Sequence, residues 1–252
     1  MNPNENRAGL VSISFRGKTP SEILAACKDA RLTAIEWGGD VHVPHGDKKN
    51  ARAVRDKTEK AGLSISEYGS YYHIGDGNEK LFDDVLLSAE ALKTDCIRVW
   101  AGKNIPSAEY PTQDYRAAVA DARRICALAG DKTVALECHP FSLTDEYHAA
   151  QRFLSDVGCD NLKMFWQPNQ YRSEEYNVEA ARALLPHIVR VHVFSWSATE
   201  RFPLEHGKEA WRRYLDVLSA KPLFYMLEFM PDDRIESLPH ETQTLRDWLE
   251  LQ

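Results

Sequence analysis

The chain has 252 residues, of which 43% are hydrophobic and 27% are charged, a composition typical of globular proteins with an apolar core. Its net charge of −7 argues against a nucleic acid or an anionic membrane as a partner. No apolar run approaches the roughly 18 residues of a membrane-spanning helix, the start lacks the apolar core of a signal peptide, and the five cysteines form no CxxC pair, so we expect a cytoplasmic protein with reduced thiols.

Short apolar runs alternate with longer amphipathic runs from one end of the chain to the other. The predicted strands cover residues 9–15, 33–39, 63–73, 95–102, 133–140, 162–169, 188–196 and 222–230. A predicted helix follows each strand, over residues 19–32, 47–62, 79–93, 112–130, 144–158, 177–185, 207–219 and 238–251. The first helix begins with a capping box formed by Thr19 and Glu22, and Thr144 is the expected N-cap of the fifth.

Eight strand–helix units in succession favour parallel strand pairing, and eight parallel strands favour a closed barrel. We therefore predict a single (β/α)8 TIM barrel domain over residues 1–252, in which residues 1–7 are flexible. The alternative is an open, doubly wound sheet. It is less consistent with the chain, because no glycine-rich phosphate loop follows the first strand.

Polar residues stand at the ends of four consecutive predicted strands, which is where the chemistry of such barrels takes place. Glu137 ends the fifth strand, Gln167 ends the sixth, His192 lies in the seventh and Glu228 ends the eighth. Alone, each would be interpreted as an ion-pair or hydrogen-bonding residue. Together they direct two carboxylates, an amide oxygen and an imidazole at one point. This set suits one divalent metal ion, namely Mn²⁺, Mg²⁺ or Co²⁺.

Around these residues the chain resembles the sugar phosphate isomerase/epimerase superfamily, whose members have a xylose-isomerase-like TIM barrel. The segments that carry the resemblance are LECHPFSLTD, HVFSWSATERFPLEHGKEAW and LEFM. The resemblance implies that Glu137 and Glu228 both bind the metal and act as acid/base groups on opposite faces of the substrate.

The sixth strand departs from the pattern of that superfamily. Its members commonly have Asp-x-x-His at this point, whereas this chain has Gln167-Pro-Asn-Gln170. The neutral amide oxygen of Gln167 is expected to bind a cation more weakly than a carboxylate would, and to leave the ion a stronger Lewis acid. Gln170 can form hydrogen bonds but cannot relay a proton as a histidine does. The alternative interpretation is a site that has lost its metal.

Aromatic and hydrogen-bonding residues near the ends of other strands favour a carbohydrate-sized pocket, although some of the rings could simply fill the mouth of the barrel. The predicted substrate-binding residues are Trp37, Tyr68, His73, Trp100, His139, Gln170, Trp196 and Arg201. Arg201 and Lys103 are also candidates for holding an anionic group of the substrate.

Two arginines in the predicted strands share the inward parity of the site residues. A buried guanidinium needs carboxylate partners, and Glu36 and Glu67 could supply them for Arg98 and Arg190. Such pairs would stiffen the site without reacting. In the alternative, a one-residue register shift turns both arginines outward. Cys138 is expected to face the helices and to be inert.

These features favour a divalent-metal-dependent sugar isomerase or epimerase that works through an enediolate, with a small carbohydrate as its partner. The first alternative is a metal-dependent lyase or dehydratase that acts on a keto-sugar or keto-glycoside. A second is a non-catalytic sugar-binding barrel. An apurinic-site endonuclease is disfavoured by the acidic composition and the small number of ligands. The substrate, its phosphorylation and the assembly into a homo-oligomer stay open at this point.

Overall fold

The structure is a computed structural model, and it describes residues 8–102 and 104–250. The expected flexibility of residues 1–7 and any role of Lys103 lie outside the described residues. Eight parallel strands close into a barrel, in which each strand pairs with the next and the eighth pairs with the first. They are β1 (Ala8–Val11), β2 (Ala34–Gly38), β3 (Ser64–Ile74), β4 (Cys96–Ala101), β5 (Thr133–Glu137), β6 (Leu162–Trp166), β7 (Ile188–Val193) and β8 (Phe224–Leu227). The predicted (β/α)8 TIM barrel is confirmed.

A helix follows each strand and packs on the outside of the barrel. The helices are α1 (Pro20–Asp29), α2 (Lys48–Lys60), α3 (Leu81–Leu92), α4 (Thr112–Ala129), α5 (Tyr147–Val157), α6 (Glu174–Leu184), α7 (Lys208–Leu218) and α8 (Leu238–Glu250). A short antiparallel hairpin, Trp196–Ser197 with Glu200–Arg201, lies between β7 and α7. None of the helices in the described part of the chain is long and apolar enough to cross a membrane.

One of the two predicted helix N-caps is present in the structure. The predicted capping box is present, since Thr19 Oγ1 accepts a hydrogen bond from the Glu22 N–H and the Glu22 carboxylate accepts one from the Thr19 N–H. The predicted cap at Thr144 is wrong, because Glu146 caps α5 instead. The Thr144 hydroxyl donates to the Glu137 carbonyl at 2.5 Å, so it stabilises the loop that leaves β5.

Alternation along the strands divides the apolar residues into two cores. A large core lies between the strands and the helices, and a small one fills the interior of the barrel. The small core consists of Val11, Ile13, Cys96, Ala135, Phe165 and Met226. The inward residues that follow it along the strands are polar, which places the polar groups above an apolar plug, at the carboxyl ends of the strands.

Candidate active site

The four residues predicted at the strand ends come together at the carboxyl end of the barrel. One ligand atom each from Glu137, His192 and Glu228 lies within 4.8 Å of the other two, and all three residues are buried. The amide oxygen of Gln167 lies 2.7 Å from His192 Nδ1. The structure therefore places these side chains as the sequence led us to expect, and their role as metal ligands stays a prediction.

The imidazole of His192 lies between oxygen atoms on both sides. Its Nδ1 lies 3.6 Å from Glu228 Oε2 and 3.9 Å from Glu137 Oε1, and its Nε2 lies 3.2 Å from Glu36 Oε2. Burial disfavours the imidazolium, but the negative charges of Glu228 and Glu36 outweigh it and raise the pKa of His192 to about 9. At neutral pH the proton on this ring therefore compensates the surrounding carboxylates.

The two candidate acid/base carboxylates have different surroundings. Glu137 accepts hydrogen bonds from the Arg98 guanidinium and the Trp100 indole N–H. Burial alone would raise the pKa of Glu137, but Arg98 and His192 outweigh it and hold this pKa below its ordinary value. Burial raises the pKa of Glu228, and no group in the described part of the chain donates a hydrogen bond to its carboxylate. The pKa values of the two carboxyls therefore shift in opposite directions.

Both predicted arginine–carboxylate pairs are present inside the barrel. Arg98 Nε donates to Glu36 Oε1 at 2.8 Å, and another nitrogen of the same guanidinium contacts Glu137. Burial opposes the charge of Glu36, yet Arg98 lowers the pKa of this carboxyl to about 2. Arg190 Nε donates to Glu67 Oε2 at 2.9 Å, and burial raises the pKa of Glu67 to about 7. The inward register assumed for these residues is confirmed.

A cavity of about 290 Å³ opens directly above the Glu137–His192–Glu228 cluster. Four of the predicted substrate-binding residues line it, namely Trp100, His139, Gln170 and Trp196. Its volume is at the lower end of the range for small-molecule sites, and its wall combines aromatic rings with a few polar groups. The cavity therefore suits a small polar ligand with apolar ring faces.

The residues at the floor of the cavity fit a divalent metal ion. Two carboxylates and an amide oxygen supply hard oxygen donors, and one imidazole supplies a nitrogen, which is a donor set that suits Mn²⁺, Mg²⁺ or Co²⁺. The carboxylate oxygens of Glu228 and Glu137, which lie 3.6 Å and 3.9 Å from His192 Nδ1, attract positive charge to this point. A cation at Nδ1 would take the place of the imidazole proton.

The family model for the xylose isomerase-like TIM barrel matches residues 24–250. The chain belongs to this family. No curated protein sequence matches the chain.

Solved structures share the fold of this xylose isomerase-like barrel. The probable 3-DHS dehydratase AsbF of Bacillus anthracis is 22% identical, with a TM-score of 0.79 over 95% of this chain and 98% of that one. D-psicose 3-epimerase of Clostridium cellulolyticum H10, solved with D-tagatose, is 12% identical, with a TM-score of 0.73 over 97% and 98%. A xylose isomerase-like TIM barrel protein of Mycobacterium smegmatis, solved with magnesium, is 12% identical, with a TM-score of 0.74 over 99% and 98%. At these identities the likeness shows a common fold.

The other four predicted substrate-binding residues, Trp37, Tyr68, His73 and Arg201, do not line the cavity. Trp37 is fully buried and its indole N–H donates to Thr58 Oγ1 of α2 at 3.1 Å, so its ring faces the helices. Tyr68 is also fully buried, and its hydroxyl donates to the Val43 carbonyl at 2.7 Å. The ring of His73 packs against the ring of Trp100, at 4.6 Å between centroids. The structure thus places the side chains of Trp37, Tyr68 and His73 outside the lining of the cavity.

The strand geometry explains the misplaced rings. Neighbouring residues of a strand point to opposite faces, so Trp37 faces outward because Glu36 faces inward. A bulge in β3 changes the parity after Ile65, since Ile35 pairs with Ile65 but Glu36 pairs with Glu67. With unbroken alternation from the outward-facing Ile65, Tyr68 would have pointed into the barrel.

Two further side chains near the rim, Trp166 and the predicted contact Arg201, also lie away from the cavity. Trp166 packs against the rings of Trp211 and Tyr214, in the layer between the strands and the helices. Arg201 forms an ion pair with Asp233 and lies over the ring of Phe229, 4.4 Å from its centroid. Arg201 therefore supports the wall of the cavity from behind, rather than contacting its interior.

Sequence reasoning missed Arg16 and Phe229, both of which line the cavity. Arg16 follows β1, and its guanidinium donates to the Tyr71 hydroxyl at 2.8 Å and to Asp40 at 2.9 Å. Phe229 follows Glu228, and its N–H donates to Ser14 Oγ at 2.8 Å. A signal was present in the sequence, because the first strand of a barrel also ends at this rim, and the predicted strand stopped one residue before Arg16.

Proposed function

We propose that this protein is a divalent-metal-dependent isomerase or epimerase of a small carbohydrate that contains a carbonyl group. The observation that carries the proposal is the buried cluster of Glu137, His192 and Glu228, whose ligand atoms lie within 4.8 Å of one another at the floor of a ring-lined cavity. Gln167 joins this cluster as a neutral oxygen donor. When bound there, the metal supplies positive charge that polarises the substrate carbonyl and stabilises the enediolate.

The two carboxylates move the proton. In one direction Glu137, which Arg98 and Trp100 keep ionised and oriented, accepts the proton from the carbon next to the carbonyl. Glu228, which has a raised pKa, supplies a proton to the substrate from the opposite face. The reverse reaction exchanges the two roles, as reversible general acid–base catalysis requires. Burial of both carboxylates keeps bulk water away from these steps.

The test is solvent exchange on a panel of ketoses and keto-glycosides. Purified protein loaded with Mg²⁺ is incubated with each compound in D₂O and followed by ¹H NMR. We expect deuterium at the carbon next to the carbonyl, together with a new isomer or epimer, for at least one compound. Glu137→Gln and Glu228→Gln should each abolish formation of the new isomer. Metal-loaded, folded protein that exchanges no proton with any compound of the panel would count against the proposal.

A lyase or dehydratase is a second candidate, and one observation favours it. Of the two candidate acid/base carboxylates, Glu137 accepts hydrogen bonds from Arg98 and Trp100, whereas Glu228 accepts none from the described residues. Elimination needs a single base for the proton, followed by loss of a leaving group from the next carbon, and the product is a conjugated carbonyl compound. Under this candidate Glu228→Gln removes turnover, while Glu137→Gln at saturating metal keeps part of it. An ultraviolet assay for the conjugated product separates the two candidates.

A further inference from the structure

Glu36 occupies a central position beneath the candidate active site without lining the cavity. It is fully buried, and its carboxylate joins two residues from distant strands, Arg98 of β4 and His192 of β7. The space for this carboxylate exists because β3 has a glycine beside it. A Cβ added to Gly69 would lie 2.1 Å from Glu36 Oε1 and 2.8 Å from Arg98 Nη2. Any larger residue at position 69 would therefore collide with the Glu36 carboxylate.

The two nitrogens of His192 face acceptors of different strength. Nε2 faces the Glu36 carboxylate at 3.2 Å, and Nδ1 faces the neutral amide oxygen of Gln167 at 2.7 Å. A neutral imidazole has one N–H and can serve only one of them. A carboxylate forms the stronger hydrogen bond, so we expect the single hydrogen of the neutral ring on Nε2. The Gln167 amide can rotate and donate to Nδ1, which a carboxylate at this position could not do.

We propose that Glu36 is a positioning residue that fixes the tautomer and the ring orientation of His192, so that the Nδ1 lone pair points at the space shared with Glu137 and Glu228. Through Arg98, the same carboxylate also orients Glu137. The neutrality of Gln167 belongs to this arrangement, because a second carboxylate would compete for the imidazole hydrogen. The part of the inference that concerns cation binding rests on the proposed function, whereas the part that concerns the tautomer does not.

Glu67 offers a matched control for Glu36. It is also fully buried, pairs with an arginine and stands opposite Glu36 in the strand register. Its partner Arg190 makes no contact with the site residues given above. Replacing Glu67 by Gln therefore removes a buried carboxylate from the same barrel without removing the hydrogen bond to His192.

The first measurement is the tautomer of His192 in metal-free protein, read from ¹⁵N NMR of the imidazole at the high-pH plateau of its titration. We expect the hydrogen on Nε2 in the wild type and in Glu67→Gln, and a mixture of tautomers or a change to Nδ1–H in Glu36→Gln. The second is the Mn²⁺ affinity by calorimetry, which should fall about 10- to 100-fold in Glu36→Gln and stay unchanged in Glu67→Gln.

The two readouts separate the possible failures. Wild-type protein with the hydrogen on Nδ1, or an unchanged tautomer in Glu36→Gln, overturns the positioning role whatever the metal does. A wild type that has the expected tautomer but binds no Mn²⁺ refutes the metal-dependent function and leaves the positioning role standing. If Glu36→Gln does not fold, Glu36→Asp carries the test, because it keeps the charge but withdraws the carboxylate by one methylene. It should then weaken Mn²⁺ binding and shift the tautomer mixture, and a wild-type tautomer and affinity in that variant also overturn the inference.

Discussion

Replacing Gln167 by Glu is the sharpest perturbation of the proposed metal site. The two side chains have the same length, so the variant puts a carboxylate oxygen where the amide oxygen lies, 2.7 Å from His192 Nδ1. Only the charge changes. If Gln167 is a neutral ligand, the variant adds a third carboxylate to the two of Glu137 and Glu228, and the affinity for a divalent cation should rise.

The size of the effect follows from two opposing contributions. Two unit charges about 4 Å apart interact by about 4 kcal/mol at an effective dielectric constant of ~20. Repulsion from Glu137 and Glu228 offsets part of this attraction. We therefore expect a net gain of at least about 1.4 kcal/mol, which is a tenfold tighter Kd. The added charge should also raise the pKa of His192, whose proton the ion must displace. The gain should consequently be larger above pH 9 than at neutral pH, since the wild-type ring has a pKa of about 9.

The assay is calorimetric titration of Mn²⁺ into the wild type, Gln167→Glu and Gln167→Leu at both pH values. The leucine variant keeps a side chain of similar size but removes the oxygen donor, so it should bind Mn²⁺ more weakly than the wild type. Far-UV circular dichroism of the metal-free proteins controls for folding. Equal affinities in all three proteins would refute the reasoning, and would mean that the amide serves only the hydrogen bond to His192.

Other predictions address protonation, ring placement and packing. The pKa of His192 is raised from 6.5 to about 9, so its proton stabilises metal-free protein fully below about pH 6.5 and this contribution is lost as the pH rises through 9. Urea unfolding should show this loss in the wild type and not in His192→Asn. Trp37→Phe should lower the free energy of unfolding by about 1–3 kcal/mol, because the hydrogen bond to Thr58 is lost and the ring is smaller. Its Mn²⁺ affinity should not change. Weaker Mn²⁺ binding in this variant would mean that Trp37 contributes to the site. Gly69→Ala should destabilise the fold by about 1–3 kcal/mol and weaken Mn²⁺ binding, because the new methyl group displaces Glu36; wild-type values for both would exclude the crowding.

The sequence alone predicted the barrel because each of its signals is local. Strand and helix periodicity, together with a cap such as that at Thr19, depend on residues a few positions apart. The position of the site was predictable for a related reason. All parallel strands of a barrel end at the same face, so polar residues at the ends of consecutive strands had to meet. Glu137, His192 and Glu228 meet at this face for that reason.

Only the tertiary structure decided which side chains of that rim face the cavity and what their partners are. The bulge in β3 reversed the direction of Tyr68, and the Glu137 carbonyl used the hydroxyl of Thr144 that would have capped α5. The contact between Glu36 and His192 joins residues 156 positions apart. Alternation gives the direction of a side chain only while the register is unbroken, and pairing across the barrel depends on closure of the whole sheet. Neither a break in register nor pairing across the barrel can be predicted from the local pattern of residues.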